Sequence, residues 1–196
     1  AVVAAVRQAG AWLADAGYVV EEVEPPSLQE AHELWNLMGN DEARRFMWPA
    51  IEAHGDEGVR RSFGWMLEAT PVLDHTAHLL ALAKRSTLLR RWQLFLERYP
   101  LVLTPVSGEP PFPWGMDVDS AESMARVLRA QESQFAVPVL GLPAVSVPTV
   151  TSTFDDSSRS KPFVTSALSA TYAPCCAMFD SSAVSMLFLS DAHADC

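Results

Sequence analysis

Residues 139–150 read VLGLPAVSVPTV, a glycine-proline knuckle followed by an alternating β-branched run. Such a run predicts a buried strand that ends at Pro148. A strand needs neighbours, so the reading of the whole chain turns on which sheet this one completes. Upstream, Asp119 or Ser120 caps a helix predicted over 121–136, AESMARVLRAQESQFA. The proline-rich stretch before it, SGEPPFPWGMDVD at 107–119, cannot be regular structure. LVLTPV, from Leu101, is a short apolar strand of the kind buried inside a covered sheet.

Between Ser27 and Pro100 the pattern is almost wholly helical. Ser27 with Glu30 forms a capping-box pair that opens a helix toward Trp35 and Met38. A second helix is predicted from Asp41 to His54 with Phe46 and Ile51 inward, broken by Gly55 and Gly58 before RRSFGWMLEA. The longest runs from near Asp74 to Tyr99, with Leu79, Leu82, Leu88, Trp92 and Phe95 on its buried face, and Pro100 stops it. At the N-terminus Val3, Val6, Ala9, Leu13 and Ala16 fall near helical spacing, and Gly17 stands where a C-cap belongs. Tyr18, Val20 and Val23 then lead an extended run that Pro25 and Pro26 terminate. Helix, glycine, strand is an α/β unit, in which the helix covers a sheet that the strand joins.

After Thr149 the character changes. The last 47 residues hold no glycine, many serines, all the cysteines and two basic residues, Arg159 and Lys161. STFDDSSRS at 152–160 reads as a solvated loop. YAPCCAMF and AVSMLFL fit strands and buried helical pieces equally, because short apolar runs do not discriminate.

The totals exclude several classes. The 196 residues suffice for one ordinary domain, and 49% hydrophobic with 19% charged is the balance of a globular chain. A net charge of −10 argues against a duplex-binding surface. Arg44-Arg45, Arg60-Arg61 and Arg90-Arg91 sit amid carboxylates and read as solvated helix faces. No apolar run reaches the roughly 18 residues of a membrane span. The opening AVVAAVRQAGAWL lacks a starting Met and reads as the interior of a longer protein rather than a signal peptide. Cys175, Cys176 and Cys196 offer neither a disulfide framework nor zinc spacing, which fits a reducing cytoplasm.

Several stretches resemble the C-terminal half of the amidase signature family, whose members hydrolyse carboxamides. They are LADAGYVVEEVEPPSLQEAHELW (13–35), RRWQLFLERYPLVLTPVSGEPPFP (90–113) and FAVPVLGLPAVSVPT (135–149), the last similar to an N-x-x-G-x-P-A-x-x-x-P segment. The resemblance covers about residues 1–149. It implies an α/β fold, here a partial mixed sheet covered by helices. Residues 1–149 would be the C-terminal portion of an amidase-type domain, and 150–196 a divergent tail. Where the family commonly has Asn, this chain has Pro138, and the glycine turn and strand expected after Thr149 have no counterpart. A truncated gene, a frame change near codon 150 or one part of a split gene would each leave this pattern.

The resemblance also implies a Ser-cis-Ser-Lys triad: a serine nucleophile, a bridging serine with a cis peptide, and a lysine base. A buried lysine of depressed pKa can take the serine proton through the second hydroxyl, while glycine-flanked backbone N–H groups meet the oxyanion. None of these residues is matched here. Nine glycines include no Gly-Gly pair, and the lysines are Lys84, on a predicted solvated face, and Lys161. SSRSK at 157–161 has the right residue types in the wrong arrangement. The expectation is therefore an amidase-derived chain with no catalytic residue of its own, inactive alone and requiring no metal or cofactor. Thr104, Phe112 and Trp114 are the candidate pocket lining, since the family's corresponding loop borders the acyl site. The alternative is an interaction module that pairs with a complementary half or with itself; a non-functional gene product is a third reading.

Two further patterns have plain structural readings. His75 and His78, in DHTAH, lie one turn apart near a helix start and lack a distant third ligand. Trp12, Trp35, Trp65 and Trp92 fit helical core faces.

Overall fold

The structure, a computed structural model, describes residues 1–148 and, as backbone, 183–188. Helices dominate: α1 (Val2–Asp15), α2 (Leu28–Glu42), α3 (Trp48–His54), α4 (Glu57–Glu68), α5 (His75–Arg98), α6 (Ala121–Ala130) and α7 (Glu132–Leu140). Among the described residues three strands accompany them: β1 (Leu101–Pro105), β2 (Ala144–Pro148) and β3 (Ala183–Phe188).

The run that opened the reading is β2, and it ends at Pro148 as its alternation predicts. Its neighbour comes from the far tail. The sheet order is β1-β3-β2, with Val145 opposite Met186 and Thr104 opposite Ser185. Both ladders are antiparallel, so β1 and β2 run parallel to each other on either side of β3. The ambiguous run AVSMLFL is thus resolved as a strand by the two edges it fills. YAPCCAMF lies outside the described residues.

Helix boundaries follow their signals closely. Gly17, at φ 95°, takes the left-handed turn after α1. Asp74 caps α5 by accepting from the Ala77 amide at 2.7 Å. Ser120 and Ser123 form a reciprocal capping box at α6. Ser27 accepts from the Glu30 amide at 3.0 Å, but the Glu30 carboxylate does not return the bond. It faces α5 instead, 3.0 Å from Arg91 and 3.7 Å from Lys84. The helix predicted over 121–136 divides at Gln131, and its second part continues through Pro138 to Gly141 (φ 68°). Pro138 stands inside α7 and donates no main-chain bond there. Gly55 ends α3, whereas Gly58 lies inside α4.

The core gathers α2, α5 and α7: Ala31, Leu34, Ala81, Leu88, Trp92, Leu96, Ala136, Val139 and Leu140. Each fully buried Leu contributes about 1.5–3 kcal/mol. Leu79 and Leu82 do not belong to it and stand exposed. The reason is angular. Leu79 is nine residues from Leu88, half a revolution away at 100° per residue, while 81, 85, 88, 92 and 96 share the inward face.

Other expectations are corrected by what the chain packs against. Asp41 does not begin a new helix; α2 passes through a π-helical turn, Ala43–Met47, into α3. That widened turn swings Phe46 outward to 79% exposure. Trp12 is also exposed, while Trp92 is fully buried. The run from Tyr18 to Val23 forms no strand, and from Val19 onward it makes no main-chain hydrogen bond with any described residue.

Candidate functional site

The Arg44-Arg45 pair does more than form a solvated face: Arg45 stays exposed and Arg44 is half-buried, and both are bonded to main-chain carbonyls. Arg44 Nη2 donates to the carbonyls of Leu67 and Thr70, and Arg45 Nη2 to that of Leu73. Asn40 Nδ2 donates to the Met66 carbonyl and, at 2.8 Å, to Thr70 Oγ1. Asp41, 1% exposed, holds Arg45 at 3.0 Å and accepts from the Leu73 amide. One turn of helix thereby clamps the 66–73 connection and satisfies carbonyls left open at the end of α4. His78 Nδ1 lies 3.7 Å from Asp41 Oδ2, so DHTAH faces a structural carboxylate. His75 is exposed. Among the described residues no group of three His, Cys, Asp or Glu is placed to hold a metal. Asp41 and Arg45, at i,i+4, were the available signal for this clamp; their partners 28 and 32 residues away were not legible.

The three candidate lining residues fall on and after β1. Thr104 is buried on the strand, and its Oγ1 has no hydrogen-bond partner among the described residues. Such a hydroxyl costs about 1–3 kcal/mol unless something meets it. Phe112 is half-buried and Trp114, at 86%, is exposed. No ring contact joins Phe112 to Trp114.

The loop that carries these aromatics is anchored at both ends. On the β1 side, Ser133 Oγ donates to the Pro105 carbonyl and the Gly108 amide to that of Ala130. Ser107 Oγ closes a local turn on Glu109. Glu109 takes a bidentate bond from Arg126 on α6, which holds its carboxyl below the usual range. On the far side, Arg61 donates to the Asp119 carbonyl at 3.2 Å, and Gly115 turns through φ 81°. Trp114 therefore sits at the tip of a loop fixed at its base. The residues named here include no base aimed at a nucleophile. Lys84 faces Glu30, and SSRSK lies outside the described residues.

The sequence model of the family described as Amidase matches residues 1–192. The chain belongs to the amidase family. That match runs past Thr149 and takes in β3. The family chain is 33% identical over 147 residues to the indoleacetamide hydrolase of Bradyrhizobium japonicum, covering 74% of this chain and 31% of that protein. It is 34% identical over 149 residues to the indoleacetamide hydrolase of Bradyrhizobium diazoefficiens, covering 76% and 28%. The chain thus spans less than a third of the length of these curated relatives. No described helix is long and apolar enough to cross a membrane.

Proposed function

We propose that this amidase-family chain belongs to the machinery of carboxamide C–N hydrolysis, supplies the binding wall of the acyl site and does not itself break the bond. Thr104, Phe112 and Trp114 line that wall. The observation that carries the reading is Thr104, a buried hydroxyl left without a partner among the described residues, at the base of an anchored aromatic loop. A substrate carboxamide offers both a donor and an acceptor to such a group, and an aryl ring offers a face to Trp114. The relatives' name supports an arylacetamide as the substrate class. Residues 1–149 act as the C-terminal portion of an amidase-type domain, with 150–196 a divergent tail, in a cytoplasmic protein with no nucleic-acid partner. No metal or cofactor takes part.

The test incubates the purified chain with indole-3-acetamide and with aliphatic amides, reading ammonia release. The expected result is release no faster than in buffer. Turnover that survives Ser157→Ala and Ser158→Ala would overturn the reading, and turnover abolished by them would place a catalytic unit in SSRSK. A second reading, an interaction module that pairs with a complementary amidase half or with another copy, is favoured by the exposed apolar residues Tyr18, Val19 and Val20. Light scattering of the purified chain separates monomer from self-associated species.

A further inference from the structure

Thr104, the penultimate residue of β1, is 6% exposed, and its Oγ1 has no hydrogen-bond partner among the described residues. The strand register gives it two companions. Ser185 on β3 stands opposite Thr104, and Ser146 on β2 stands opposite Ser185. Residues directly opposite in antiparallel ladders share a face, so three hydroxyl-bearing residues form one row across the sheet at a spacing of about 5 Å. Val102 and Ala144, two residues back along their strands on the same face, pack against the core. The row therefore begins where the core stops, and it runs from buried Thr104 to exposed Ser146. It lies at the end of β1 from which the loop carrying Phe112 and Trp114 departs. Ser133 Oγ, bonded to the Pro105 carbonyl, ties the start of α7 to the same end.

We propose that Thr104, Ser185 and Ser146 act together as a specificity row that holds a primary carboxamide and turns away both dialkyl amides and the carboxylate product. The proposal rests on the reading of Thr104, Phe112 and Trp114 as the acyl-site wall, and adds to it two residues and the group they select. A hydroxyl has one donor and two acceptor sites. With each donating to its neighbour along the row, the three retain one donor and four acceptor sites. A primary carboxamide brings two N–H donors and a carbonyl, which fits that surplus. A dialkyl amide brings no donor. A carboxylate brings none either, and its charge would lose water beside Thr104 on a chain that already carries −10. The arginines that hold the neighbouring loop do not relieve that cost, since Arg126 is committed to the Glu109 carboxylate and Arg61 to the Asp119 carbonyl. The acid is thus driven from a site that the amide enters.

The experiment titrates the full chain with phenylacetamide, its N,N-dimethyl amide and phenylacetate, and reads binding from the broadening of the ligand NMR lines. Phenylacetamide binds about tenfold or more tighter than either of the others. Ser146→Ala and Ser185→Ala each weaken phenylacetamide about fivefold and leave the dimethyl amide where it was, because only the primary amide uses the row. Ser146→Thr keeps the hydroxyl and the affinity, and unchanged circular dichroism shows that each variant is folded. Three results would overturn the row and leave the aromatic wall standing. They are a dimethyl amide or acid bound as tightly as phenylacetamide, alanine variants that weaken the dimethyl amide equally, and a phenylacetamide affinity unmoved in both variants. Absence of binding by all three ligands at millimolar concentration would instead overturn the wall, and the row with it.

Discussion

The carboxylate of Asp41 accepts a hydrogen bond from the backbone amide of Leu73, 32 residues away, at 3.3 Å. That bond and the Arg44 and Arg45 contacts join the α2–α3 rod to the connection between α4 and α5. Asp41→Ala leaves the Leu73 amide and the Arg45 guanidinium without their acceptor. We expect a loss of about 2–3 kcal/mol, read as a shift in urea midpoint with an unchanged m-value.

Asp41 also sets the acid limb of stability. Burial pushes its carboxyl up, but hydrogen bonds from Arg45 and the Leu73 amide, with the charges of Arg45 and His78, outweigh that and hold it below the usual 3.8. A carboxyl depressed in the folded state contributes stability above its unfolded value and loses it as pH falls through the folded one. The wild-type chain should therefore lose stability more steeply below pH 3.8 than Asp41→Asn, as followed by denaturant titration across that range.

His32 acts in a higher window. Its ring lies against Phe135 with Nε2 2.9 Å from Asn36 Nδ2, and burial lowers its pKa from 6.5 despite the nearby Glu33 carboxylate. The unfolded chain binds this proton more readily, so stability present above pH 6.5 falls as pH drops through it. His32→Gln should flatten the dependence of the urea midpoint between pH 7.5 and 5.5. An unchanged slope in the variant would assign that dependence to another group.

Trp92 is fully buried, yet its Nε1 has no partner among the described residues. Trp92→Ala should cost about 3–5 kcal/mol, enough to unfold a chain of ordinary stability. Trp92→Phe loses volume but also removes the unpaired N–H, so its cost should stay below about 2 kcal/mol. Thermal denaturation of the two variants measures the contrast.

Gly17 and Gly141 both hold positive φ, at 95° and 68°, but in different surroundings. A Cβ at Gly17 meets nothing within 4 Å, whereas one at Gly141 lies 3.4 Å from Arg85 Nη2. Gly17→Ala should cost about 1 kcal/mol from backbone strain alone. Gly141→Ala should cost more, since it also crowds the guanidinium that donates from Nε to the Val139 carbonyl.

What the sequence determined by itself was whatever acts over one or two turns. The caps at Ser27, Asp74 and Ser120, the glycine at 17, the stop before Pro100 and the end of β2 at Pro148 all depend on neighbours three or four residues away. The lineage was legible too, because the order of such local signals along 1–149 was enough to indicate the amidase family. Tertiary structure alone decided which apolar faces find partners. Leu88 and Trp92 meet α2 and α7 while Leu79 faces outward, and from Val19 to Val23 the chain makes no main-chain hydrogen bond with any described residue. It likewise turned Arg44 and Arg45 from expected surface charges into a clamp, since the carbonyls they satisfy are brought near only by the packing of α4 against α2.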